Sequence, residues 1–311
     1  MKQARTDPDP GTEALNVRDA QEWIRLALRG DFAGAWTVSD RILARDARPD
    51  NSRVPRHLQR IWDGTPLERR RVLIRCYHGL GDSIQFIRYL PLVKGISTEV
   101  TVWAQRDLLP IFERSFQDVG WLALHDGTPD VDYDVDIEVM ELPYAFRTTE
   151  ATMPAEVPYL HVRPGTLPSA QMPRVGLVWR AGDWDTRRSI PFDAIKPLLD
   201  VPRVEFYGVQ YDRNSSEAHP NLHPFPNGSV LSTARHLCAL DVLVSIDSMP
   251  AHLAGALGLP VWTLLTHQAD WRWMQDRVDS PWYPTMRLFR QPAPGDWRSV
   301  IDEVCESVCT I

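Results

Sequence analysis

The chain has little with which to build a metal centre, a disulfide framework or a membrane span. Four cysteines fall in 311 residues: Cys76, Cys238, Cys305 and Cys309. Cys76 lies in a strand-like run and Cys238 in a helix-like run, where a free thiol behaves as a small hydrophobe. Cys305 and Cys309 stand four apart on one face of an expected C-terminal helix. No zinc-ribbon spacing is present, so neither a metal nor a disulfide is expected. No apolar stretch reaches the roughly 18 residues that a membrane-spanning helix needs. The opening MKQARTDPDPGTEALNV is polar and lacks the apolar core of a signal peptide, so a cytoplasmic protein is expected. A basic excess is missing too: the net charge is −7, which argues against sequence-independent nucleic-acid binding. The full GxGxxG fingerprint and the Walker lysine pattern are also absent, which excludes an NAD or P-loop reading of the glycine turn described below.

What is present is a large apolar core and two strand–turn–helix units. A hydrophobic content of 43% with 24% charged residues fits a soluble globular chain, and the length suggests two domains. The first unit is RVLIRCYHGLGDSIQFIRYLPLV at 71–93. Val72 to Cys76 reads as a strand, His78 to Asp82 as a glycine turn, and Ile84, Ile87 and Leu90 recur at helical spacing. Gly79 and Gly81 permit positive φ and a close backbone approach to a ligand. Asp82, at the mouth of that turn, reads either as a helix cap or as a carboxylate open to a cleft.

The second unit is DVLVSIDSMPAHLAGALGLPVWTLL at 241–265. Val242 to Ile246 reads as a buried strand. Ser248 is a capping-type residue, Pro250 suits a first helical turn, and Gly258 stops the helix. Val261 to Leu265 reads as the next strand. A helix N-terminus after a strand is a ready anion site, because unpaired N–H groups and the positive dipole end point outward. Asp247, Ser248 and His252 stand there, either as helix cap and core histidine or as phosphate ligands.

Between and around these units the pattern alternates. Residues 1–15 are expected to be disordered, and 16–45 to form two short amphipathic helices joined at Gly30-Asp31, like one tetratricopeptide unit without an array. Strands are expected at Val100–Ala104, Trp121–Leu124, Val175–Trp179 and Val204–Gln210, and helices at 107–116, 193–200, 231–240 and 296–309. The acidic stretch Asp130 to Glu138 has a period of two, which predicts a half-exposed strand rather than a metal cage. The segment 163–173, RPGTLPSAQMP, has linker composition. Of twelve tryptophans, four fall from Trp262 to Trp282, serving either as packing at a domain edge or as a stacking wall for a base or sugar.

These segments resemble the heptosyltransferase family of GT-B glycosyltransferases, and especially the modules that follow tetratricopeptide repeats in many bacterial proteins. The matching pieces are GLGDSIQFIRYLPLV at 79–93, RVGLVWRAG at 174–182, RRSIPF at 187–192, the 241–265 unit, DWRWMQDRVDSPWYPTMRLFRQP at 270–292 and GDWRSVI at 295–301. The resemblance implies an α/β fold of GT-B type, with two Rossmann-like domains facing an interdomain cleft and a short N-terminal helical appendage. The expected boundaries are 1–67 for the appendage, 68–168 for the acceptor-side domain and 169–311 for the nucleotide-sugar domain. It also implies a metal-independent, inverting transfer of a sugar from a nucleotide-diphosphate donor to a glycan, lipid-linked glycan or protein acceptor, without a cofactor. Asp82 maps onto the proposed catalytic base. Asp247, Ser248 and His252 map onto the D-S/T-x-x-x-H donor-phosphate element, with Arg180, Arg187 and Arg188 as basic candidates in the loop WRAGDWDTRRSIP. Gly79, Gly81, Trp179 and Gln210 complete the expected donor-binding set. That loop is shorter than in relatives, and His78 stands where they often carry an acid. Two other readings share the architecture: a binding or scaffold module without turnover, and a nucleotide-sugar epimerase.

Overall fold

The computed structural model describes residues 10–45, 54–168, 171–182, 185–210 and 217–311, with side chains from residue 17 onward. Two parallel sheets organise the chain. The first contains β1 (Arg71–Arg75), β2 (Glu99–Ala104), β3 (Gly120–Ala123) and β4 (Val135–Glu138), in the order β3-β2-β1-β4. The second contains β5 (Arg174–Val178), β6 (Glu205–Gly208), β7 (Leu222–Pro224), β8 (Val242–Ile246), β9 (Val261–Leu265) and β10 (Met286–Arg290), in the order β10-β9-β8-β5-β6-β7. The central strands read as continuous apolar runs because helices cover both faces of a parallel sheet. Val72, Leu73 and Ile74 in β1, and all of β8, are buried.

Ten helices accompany them among the described residues. α1 (Pro10–Leu28) and α2 (Phe32–Arg45) form the N-terminal pair; α3 (Leu80–Phe86), α4 (Leu90–Ile96), α5 (Leu109–Ser115) and α6 (Leu142–Ala145) belong to the first sheet. α7 (Phe192–Leu199), α8 (Val230–Leu237), α9 (Met249–Ala256) and α10 (Trp297–Val308) belong to the second. None is long and apolar enough to cross a membrane. α9 ends where Gly258 takes φ +75°, a left-handed position that favours glycine.

Several expectations are corrected. Helix α1 begins at Pro10, so 10–15 are helical, while residues 1–9 lie outside the described residues. The helix expected across 84–93 is interrupted by a 3₁₀ turn at Ile87–Tyr89 before α4. Of the acidic stretch only Val135–Glu138 is strand. There the expected alternation is real, and Asp136 faces Arg75 Nη2 at 2.7 Å; before the strand, Asp134 pairs with Arg71 Nη2 at 2.8 Å. Strands β7 and β10 went unread: β7 is only three residues long, and β10, MRLFR, carries two arginines that break its apolar run.

The N-terminal helices are not a loose appendage. Trp36 Nε1 donates to the Thr148 carbonyl at 2.6 Å, and the Gln275 N–H donates to the Leu28 carbonyl at 2.9 Å. Trp23 meets Trp271 edge-on at 5.2 Å, and Phe32 packs on both Trp271 and Trp282. The hairpin thus fastens both to the segment after the first sheet and to the β9–β10 connection of the second. Trp273 and Trp282 are fully buried, and Trp271 is enclosed by Trp23, Phe32 and Phe86. The aromatic cluster is interior packing, not an open stacking wall, because these large rings have the N-terminal helices to bury against.

Candidate functional site

The two strand–turn–helix units meet. Helix α3 packs directly on α9. A Cβ at Gly81 would stand 2.9 Å from His252 Cδ2 and 3.4 Å from the Met249 Cα, so the glycine is required for this approach. The expected positive φ is not its reason: Gly79 has φ −66°, and neither turn glycine is left-handed. Close approach is to another helix of the same chain.

Asp82 sits in the first turn of α3. Its Oδ2 accepts from the Gly79 N–H at 3.0 Å, and its Oδ1 accepts from Arg272 Nη1 at 2.8 Å. Arg272 also donates to Gln85 Oε1 at 2.9 Å and through Nε to Asp270 Oδ1 at 2.8 Å. Burial pushes the Asp82 carboxyl up, but the Arg272 guanidinium outweighs it and holds the pKa below the ordinary value. Asp82 was expected to stand open to the cleft; its side chain is instead 23% exposed and ion-paired across the two sheets.

Asp247 ends β8 and is buried. Its Oδ1 lies 3.6 Å from His252 Nε2, and Arg188 Nη1 donates to its backbone carbonyl at 3.0 Å and lies 3.7 Å from Oδ2. Burial works to raise this carboxyl as well; His252, then Arg272 and Arg188, outweigh it and hold it far below the usual range. Burial lowers the pKa of His252, so the ring is neutral at pH 7. Its Nδ1 lies 3.1 Å from the Tyr283 hydroxyl, and the ring stacks on Trp273 at 5.4 Å. With the tyrosine O–H donating to Nδ1, the ring proton rests on Nε2, facing Asp247. Ser248 is the N-cap of α9 by backbone geometry, yet its side chain makes no capping bond; the hydroxyl lies 2.9 Å from Ser245 Oγ.

The remaining expected residues divide. Arg188 joins the α9 turn. Arg187 does not: its side chain is 83% exposed and pairs locally with Asp185 at 2.8 Å. Trp179, Arg180 and Gln210 form a separate group at the ends of β5 and β6. The Gln210 amide bonds both the N–H and the carbonyl of Arg180 at 3.1 Å, while Arg180 Nη1 and Trp179 Nε1 donate to Glu217 at 2.8 and 3.4 Å. Residues 183–184 and 211–216, beside this group, lie outside the described residues. Among the described residues no cluster of three or more His, Cys, Asp or Glu side chains could hold a metal ion.

Sequence reasoning missed Arg272, which reaches from the second-sheet segment after β9 to Asp82 and Gln85 of α3. Its signal was an arginine flanked by two tryptophans, a charged side chain in a segment destined for the interior. It also missed Arg88, buried beneath Tyr159 and Tyr283, whose Nη2 donates to the Tyr159 hydroxyl at 3.0 Å.

This two-sheet architecture superposes on solved glycosyltransferases. A family 9 glycosyl transferase from Veillonella parvula superposes with a TM-score of 0.53 over 79% of this chain and 99% of that one, at 11% identity. The fold is that of the heptosyltransferase-like GT-B proteins. The ADP-heptose LPS heptosyltransferase II of E. coli aligns with a TM-score of 0.50 over 77% of this chain and 98% of that one, at 13% identity. These GT-B likenesses concern architecture. In sequence, the chain is 26% identical over 285 residues to protein FlbA of Caulobacter vibrioides, covering 79% of this chain and 48% of that protein. The chain therefore spans about half the length of that relative. No family model matches.

Proposed function

We propose that this GT-B chain is a glycosyltransferase that takes a nucleotide-diphosphate sugar as donor and an acceptor hydroxyl as the second substrate. The observation that carries the reading is the junction itself: the Gly79–Asp82 turn of one sheet meets the Asp247–His252 turn of the other, with Gly81 against Met249 and His252 as α3 packs on α9. The E. coli neighbour is named for ADP-heptose, which supports an ADP-sugar donor.

In this reading the diphosphate lies against the start of α9. Ser248 supplies a hydroxyl and Arg188 a half-buried guanidinium. Together with the helix dipole they stabilise charge building on the leaving diphosphate, the work a metal performs in other transferases. Inversion follows if the acceptor oxygen attacks the anomeric carbon from the face opposite the diphosphate, with a base on the first-sheet side. Trp179, Arg180 and Gln210 border the same side of the second sheet and frame the nucleoside. The acceptor is a glycan, a lipid-linked glycan or a protein.

Direct packing of α3 on α9 favours a second reading, a scaffold that keeps the fold without turnover, because Asp247 and His252 have little surface left to touch a ligand. Calorimetry with ADP and ADP-heptose, followed by assay of ADP release, separates the two. Binding with release supports a transferase; binding without release supports the scaffold; no binding of either removes the donor site.

A further inference from the structure

Asp82 is poorly placed to accept a proton, since Arg272 and the Gly79 N–H occupy its two oxygens and a lowered pKa makes it a weak base. Four residues earlier, His78 lies in the same turn, three residues past the end of β1. Its Nδ1 lies 3.0 Å from Oε1 of Glu138, a carboxylate that is 1% exposed at the end of the neighbouring strand β4. Glu138 is itself fixed by the N–H groups of Tyr77 at 3.1 Å and Met140 at 2.6 Å. The His78 carbonyl is held by Gln105 Nε2 at 2.7 Å. The Nδ1 atom is shielded from solvent and makes no aligned hydrogen bond, so Glu138 holds it by charge at short range, and the 26% exposure of the side chain belongs to the rest of the ring. A histidine is thus set against a buried carboxylate in the turn that meets α9.

Resting on the transferase reading, we infer that His78, held by Glu138, is the base that deprotonates the acceptor. In the step, the acceptor O–H bond breaks and its proton goes to Nε2 of His78. The acceptor oxygen bonds the anomeric carbon, and the bond from that carbon to the diphosphate breaks. The electron pair leaves with the nucleoside diphosphate. Asp82 then serves as a positioning residue that anchors Arg272.

The groups facing His78 are Glu138 from β4, Asp82 from α3 and Arg272 from the second-sheet side. Burial and Arg272 disfavour the imidazolium; Glu138 and Asp82 favour it and prevail, raising the pKa above the ordinary histidine value. A base of this kind gives an acid limb near neutral pH, whereas Asp82 would give one below pH 4.

Two measurements test the assignment. In the free protein, long-range proton–nitrogen correlation on 15N-histidine reads the tautomer: a proton on Nδ1 above the His78 pKa, with that pKa falling in Glu138→Gln, is expected, and a proton on Nε2 overturns the assignment. The second follows ADP release from ADP-heptose, with water as acceptor, against pH. His78→Gln is expected to lower kcat at least about 10²-fold with KM within about threefold, to remove the near-neutral limb, and in the His78→Ala form to regain activity with added imidazole. Wild-type kcat in His78→Gln, or a wild-type rate that stays flat down to pH 5, overturns it. A wild-type protein that binds ADP but never releases it from the sugar overturns the base role while leaving donor binding in place. Absence of ADP binding overturns the transferase reading and this role with it.

Discussion

The two turns that meet at the domain junction are built alike and charged differently. Each follows a buried strand, each opens a short helix, and each carries a carboxylate held below its ordinary pKa. Their histidines diverge. His78 of the first turn is partly exposed and raised by Glu138 and Asp82 against burial; His252 of the second is 3% exposed and lowered by burial. The first turn keeps a side chain that can change protonation near neutrality. The second keeps a neutral ring locked between Trp273 and Tyr283. In the proposed transferase this difference would give proton chemistry to the first sheet and fixed electrostatics to the second.

The sharpest way to break the comparison is to remove the buried cation that holds the first turn. Arg272→Met leaves Asp82 and Asp270 without their shared counter-charge in a buried setting, where losing one partner of an ion pair costs about 3–5 kcal/mol. Urea denaturation should show a loss of that order; a change below about 1 kcal/mol would mean the first turn does not depend on Arg272.

Separating the turns by one methyl group should cost less. Gly81→Ala drives a Cβ to 2.9 Å from His252 and should destabilise by about 1–3 kcal/mol through overpacking. Gly95→Ala in α4 meets nothing within 4 Å and should be neutral or stabilise by about 0.5–1 kcal/mol, as expected for a helix interior. Equal effects at both glycines in urea melts would dissolve the claim of a close-approach site.

Acid titration separates the groups by sign. For Asp82 and Asp247 the folded pKa lies below the unfolded value near 3.8, so their stabilisation is present above that value and is lost as pH falls through the folded pKa. His252 also has a folded pKa below its unfolded value, so stability declines as pH drops below about 6.5, where the unfolded state takes up a proton that the folded state refuses. His78 does the opposite: its folded pKa is raised, so its contribution is full below the unfolded value and vanishes as pH rises through the folded one. His252→Gln should therefore flatten the stability decline between pH 7 and 5, and His78→Gln should steepen it. The same slope change in both variants would contradict the opposed shifts.

The smallest effect belongs to Arg187. It is exposed and paired only locally, so Arg187→Ala should change stability by no more than about 0.5 kcal/mol and leave nucleotide affinity unaltered in calorimetry. A clear loss of ADP affinity would return it to the site.

Much of this was legible in local sequence, and the reason is physical. A parallel strand buried on both faces must be a short apolar run, so Val72–Ile74 and Val242–Ile246 announced themselves. Gly258 marked a helix end because a left-handed residue is required there. The position of Asp82, Asp247, Ser248 and His252 was legible because strand–turn–helix geometry sets such residues past the C-terminal end of a strand; their role in a site is a proposal. What stayed hidden was set by long-range partners. Arg272 reaches Asp82 across 190 positions, and nothing within a helical or strand window records that contact. The choice of Arg188 over its neighbour Arg187 depends on how a 3₁₀ turn at Thr186–Arg188 presents successive side chains. The acidic stretch gave its strand at Val135–Glu138, but its alternation ran on into residues 130–134, which are not strand.

The central claim is that the two turns form one nucleotide-sugar site, and calorimetry with ADP on the wild type and on Arg188→Ala tests it most directly. The account predicts saturable binding to the wild type, weakened by about 1–3 kcal/mol in the variant as expected for a charge-assisted contact, with the melting temperature nearly unchanged. Binding of equal strength in both proteins, or no heat of binding in the wild type, would contradict it.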